Sequence, residues 1–73
     1  MIKVKLFAYF RDGRGKELDM DEKEVRTPKE ICDKLGIEIE DVGILLINGF
    51  HSDFSDELEE GDMVSLFPPV AGG

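Results

Sequence analysis

The chain has 73 residues, 41% hydrophobic and 36% charged, with a formal net charge of −8; this describes one small folded domain, too acidic for a nucleic-acid partner. One cysteine, Cys32, and one histidine, His51, rule out an intramolecular disulfide and argue against a metal site. No apolar run reaches the roughly 18 residues of a membrane span, and MIKVKLFAYF lacks the separate apolar block and cleavage site of an export signal, so no membrane partner and a cytoplasmic location are expected.

Residues 2–10, IKVKLFAYF, alternate in polarity and predict a strand. Ile2, Val4, Leu6, Ala8 and Phe10 point one way; Lys3, Lys5, Phe7 and Tyr9 point the other. RDGRGKE then supplies hairpin-loop chemistry, and a short strand from Glu17 to Met20 pairs back on the first. Thr27-Pro28-Lys29-Glu30 reads as a capping box: the Thr27 hydroxyl accepts from the Glu30 amide, and the Glu30 carboxylate returns to the Thr27 amide. A short helix follows, with Ile31, Cys32 and Leu35 as its apolar stripe and Gly36 as its stop.

ILLI, Ile44 to Ile47, is an apolar run of strand length, and Asn48-Gly49 after it is a strong hairpin signal. Phe50 to Phe54 forms the returning strand; Gly61-Asp62 turns the chain into a last strand, Met63 to Phe67. The order β-β-α-β-β-β implies an α+β mixed sheet of four to five strands with one main helix packed across it. If the first and last strands are parallel central neighbours, the arrangement is the β-grasp, or ubiquitin-like, fold. Residues 1–67 then form the domain and residues 68–73 a flexible tail.

Charge is unevenly placed. All nine Lys and Arg residues lie between Lys3 and Lys34, and the rest of the chain carries acidic groups alone. This half serves either as a solubilising surface or to steer a basic partner. Asp12 to Lys16 resembles a phosphate loop only superficially, because it lacks the GxxxxGK[ST] spacing and the helix that should follow. The acidic stretch from Asp53 to Asp62 lacks the ligand spacing of a calcium loop. Cys32 lies on the apolar stripe as a small hydrophobe, and His51 has no companion for catalysis.

No nucleophile–base pair emerges, and the candidate for reactivity is the chain end, FPPVAGG. A carboxylate is a poor electrophile until it is activated, and adenylation by ATP is the usual route. A tail that enters a partner's nucleotide pocket should be slim, extended and uncharged. Gly72 and Gly73 have no Cβ, Pro68 and Pro69 hold the approach extended, and Val70 and Ala71 add no charge to desolvate.

With IKVKLFA, RDGRG, ILLING and EEGDMVSLFPPVAGG, nearly the whole chain resembles the ubiquitin-like sulfur carriers of the MoaD/ThiS family. The GD turn, strand and FPP tail are most similar to the molybdopterin synthase small subunit. The resemblance implies that Gly73 is adenylated by a ubiquitin-activating-like adenylyltransferase and converted to a thiocarboxylate. That group would donate sulfur to molybdopterin within a large catalytic subunit, as part of molybdenum or tungsten cofactor synthesis. The carrier would not be catalytic alone and would bind no cofactor, the ATP being used by the activating enzyme. Pro68, Pro69, Val70, Ala71 and Gly72 would thread into both partners' sites. An apolar docking patch would map to Phe7, Met63 and Phe67, with His51 at a position where relatives tend to be apolar. The short stretch between Gly36 and Gly43 leaves little room for the second helix of the family pattern. Three alternatives stay open: a ubiquitin-like modifier joined to lysines through the same glycine, a thiamine-pathway carrier, and a plain β-grasp interaction domain.

Overall fold

A computed structural model describes residues 1–69. Five strands form one sheet in the order β2-β1-β5-β3-β4: β1 (Ile2–Leu6), β2 (Glu17–Met20), β3 (Ile44–Ile47), β4 (Phe50–His51) and β5 (Met63–Phe67). The helix α1 (Pro28–Leu35) supplies the crossover. β1 and β5 run parallel at the centre, in the register Lys3↔Met63 to Leu66↔Leu6; the other pairings are antiparallel. The predicted β-grasp topology is the one observed.

Alternation decides which face is covered. Ile2, Val4 and Leu6 of β1, Leu45 of β3, and Val64 and Leu66 of β5 are buried together with Ile31 and Cys32 of α1. Phe10, Val25 and Ile37 complete the core. The helix is punctuated as the sequence requires. Thr27 accepts from the Glu30 N–H, Pro28 occupies the first turn, and Gly36 closes the helix at φ 74°. The Glu30 carboxylate does not return to Thr27, however; it accepts from the Arg26 N–H at 2.8 Å. The carboxylate thus satisfies the N–H one residue before the cap in place of that of the cap itself.

Two predicted strands are shorter than expected. β1 stops at Leu6, and Ala8–Arg11 winds into a 3₁₀ turn with Ala8 at φ 53°. The turn leaves Ala8 exposed but still buries Phe10, so one predicted core residue is wrong and the other correct for a different reason. Two arginines hold this turn: Arg11 Nε donates to the Leu6 carbonyl at 2.7 Å, and Arg14 donates to the Phe10 and Leu35 carbonyls, both at 3.1 Å. Arg14 thereby satisfies a carbonyl at the end of α1.

β4 spans Phe50–His51 and does not continue to Phe54. Asp56 accepts from the Asp53 N–H at 2.9 Å, a local turn that competes with strand pairing. Phe54 instead offers its carbonyl to the Lys29 N–H at the start of α1. The Asn48-Gly49 turn has φ 53° and 86°, as a tight hairpin demands. The segment between Gly36 and Gly43 holds a single 3₁₀ turn, Ile39–Asp41. Among the described residues no helix is long and apolar enough to cross a membrane, and no group of three or more His, Cys, Asp or Glu side chains could hold a metal ion.

Candidate functional site

The sheet face away from α1 has no second layer among the described residues, and register assigns its residues in rows. Directly opposite residues share a face, so three rows cross it: Lys3 with Met63; Lys5 with Ser65, Leu46 and His51; and Phe67 with Ile44. Phe7 joins the third row. Its N–H donates to the Leu66 carbonyl at 3.2 Å, and its ring stacks on Phe67 with centroids 4.1 Å apart and planes 10° from parallel.

The expected patch is thus partly contiguous. Phe7 and Phe67 are together, and Ile44, 37% exposed, lies opposite Phe67. Met63 is on the same face but lies at the other end of β5, about 13 Å away along the strand, with Ser65 between. His51 is exposed on β4, opposite Leu46, and one row from the aromatic pair. Sequence reasoning missed Ile44 and Leu46. ILLI read as a continuously apolar strand, while its alternation shows only in the structure: Leu45 is buried towards α1 and Ile44 is exposed.

A basic cleft adjoins the aromatic pair. Lys5, Leu6, Phe7, Arg11, Lys16 and Glu17 line a space of about 300 Å³. The Arg11 guanidinium lies 5.3 Å from the centroid of the Phe7 ring, a cation–π contact that holds both side chains in place. The local signal was the arginine-rich loop after β1, which read as turn chemistry alone.

Cys32 is fully buried against the core, and that burial, with Asp33 beside it, pushes its thiol up to about 11. A thiol held protonated is a poor nucleophile, so the cysteine fills space. The tail begins where β5 ends. Phe67 offers its carbonyl to the Gly43 N–H at 2.7 Å, and Pro68 and Pro69, which have no N–H to donate, end the ladder. Val70, Ala71, Gly72 and Gly73, expected to carry the reaction, lie outside the described residues.

Comparison with known proteins agrees with this geometry. The ThiS family profile matches residues 4–73. SAMP1 from Haloferax volcanii is 26% identical, with TM-score 0.69 over 99% of this chain and 98% of that one. A Pyrococcus furiosus protein named for molybdopterin converting factor subunit 1 is 26% identical, with TM-score 0.63 over 94% of this chain and 97% of its own. The fold also matches a chain in the complex of subunits 1 and 2 of the Helicobacter pylori molybdopterin-converting factor, at 24% identity and TM-score 0.64, covering 99% of this chain and 97% of that one. No curated protein matches the chain at a significant level. With the profile spanning all but the first three residues and a β-grasp sheet beneath it, the chain belongs to the ThiS/MoaD family of ubiquitin-like sulfur carriers.

Proposed function

We propose that this protein carries sulfur for molybdopterin synthesis, with Gly73 as the reacting residue at the end of a tail formed by residues 68–73. One observation carries the reading: the FPP stem leaves the central strand beside a stacked, solvent-facing aromatic pair. A docking surface there would fix the base of the tail while the chain end enters a partner's pocket. The Gly73 carboxylate attacks the α-phosphate of ATP in the activating enzyme and expels pyrophosphate. A reduced sulfur nucleophile then displaces AMP at the acyl carbon and leaves a thiocarboxylate. The large synthase subunit would receive it.

Phe7 and Phe67, with Ile44, form the apolar centre of the docking face; Met63 and His51 lie on its rim. The Lys5, Arg11 and Lys16 cleft offers positive charge to acidic partner groups, and the acidic C-terminal half suits a basic surface. The likeness to the Pyrococcus furiosus protein named for molybdopterin converting factor supports the pathway. A second reading has a specific observation in its favour: SAMP1 is a small archaeal modifier protein. A lysine amine attacking the same activated glycine would give an isopeptide conjugate.

Deleting Gly73 tests the proposal. Sulfur transfer should be abolished while the circular dichroism and thermal midpoint of the domain are kept. A deletion that unfolds the domain would make the tail a structural element and remove this role.

A further inference from the structure

Gly43 immediately precedes β3, on the side where β5 ends. Five of the six described glycines have positive φ and open space around them, so their backbone angle accounts for the residue type. Gly43 is the reverse. Its φ is outside the left-handed region, but a Cβ placed on it would lie 2.6 Å from Pro69 Cα, 2.8 Å from Pro69 N and 2.9 Å from the Pro68 carbonyl oxygen. Those are backbone atoms, and trimming a side chain cannot relieve the clash. The missing side chain is occupied by the first two residues of the tail.

The surroundings make this contact directional. The Phe7 N–H holds the Leu66 carbonyl from one side of β5, and the Gly43 N–H holds the Phe67 carbonyl from the other. Phe67 is further fixed by its stack on Phe7. The chain beyond it is two prolines with restricted φ, laid across the bare Cα of Gly43. A stem clamped at its root and seated in a notch has one line of departure.

We propose that Gly43 is a positioning residue for the tail: the notch at its missing Cβ sets the direction in which Pro68 and Pro69 leave the sheet, and so aims the reactive end relative to the docking face. The role of that end rests on the sulfur-carrier reading, whereas the notch itself does not. In the unaltered full chain, a nuclear Overhauser contact between the Gly43 and Pro69 Hα protons reports the seated stem without any partner. Its absence would overturn the inference whatever becomes of the sulfur-carrier reading.

Gly43→Ala should remove that contact while the β3 and β5 amide resonances stay in place. With the cognate activating enzyme and ATP, its adenylation turnover should fall about 10- to 100-fold, the effect of a misplaced reacting group, while affinity for the enzyme is kept. Turnover equal to that of the unaltered chain, or affinity lost in step with turnover, would overturn it. The pair Pro68→Gly and Pro69→Gly frees the stem without adding an atom to the sheet, and guards against a folding defect in Gly43→Ala. It should show the same split, and unchanged turnover would count against the notch.

Discussion

Phe67→Ala separates docking from folding. The substitution removes one ring of the stacked pair and leaves Phe7 exposed on the sheet face. Phe67 is half-buried, so the loss should be smaller than the roughly 3–5 kcal/mol of emptying a fully buried phenylalanine site. Stacking beyond area burial is worth about 0.5–1.5 kcal/mol, and the remaining contact brings the expected loss to about 1–2 kcal/mol. In a domain of this size each kcal/mol lowers the melting temperature by about 4–8 °C. If Phe67 anchors the partner, binding should lose at least about 2 kcal/mol, close to a 30-fold rise in Kd. Leu66→Ala gives the opposite pattern, because Leu66 is fully buried on the other face: about 2–5 kcal/mol of stability, with affinity kept in the folded fraction. Calorimetric titration against the activating enzyme and thermal unfolding measure both quantities. An unchanged Kd for Phe67→Ala, or a stability loss as large as that of Leu66→Ala, would refute the assignment of this ring to docking.

Two further outcomes test the scaffold. Burial raises the Cys32 thiol from its ordinary 9.0 to about 11, so the folded state holds its proton where the unfolded state releases it. That contribution to stability is complete below about pH 9 and is lost as pH rises through about 11. Urea unfolding should therefore steepen in pH dependence over that window relative to Cys32→Ala, and identical slopes would contradict the burial argument. Arg14→Ala should cost about 1–3 kcal/mol, because the Phe10 and Leu35 carbonyls both lose a charged donor. A loss within error in chemical denaturation would show that water replaces the guanidinium.

What the sequence made legible follows the range of the forces involved. The Thr27 half of the capping box, the Gly36 stop, the Asn48-Gly49 turn and the final strand are set by neighbours in the chain, and each was readable within a few residues. The parallel central pair was reachable because both strands carry alternating core residues and a helix separates β2 from β3. The end of β1 was not readable. Alternation continues through Phe10 in the sequence, but Arg14 reaches the end of α1 from the following loop and helps wind the backbone into a 3₁₀ turn. The Phe7–Phe67 pair was within reach of period-two reasoning, whereas Ile44 was hidden in a run with no polar residue to mark its faces. Gly43 gave no signal because its meaning is a contact with residues more than twenty positions away.

Whether the chain end carries sulfur is read from the intact mass of the protein isolated from its own cells, and again after incubation with the cognate activating enzyme, ATP and a sulfur donor. A species with one oxygen replaced by sulfur, located by fragmentation at Gly73, is expected. A chain that keeps its plain carboxylate throughout, or that appears only in lysine-linked adducts, would contradict it.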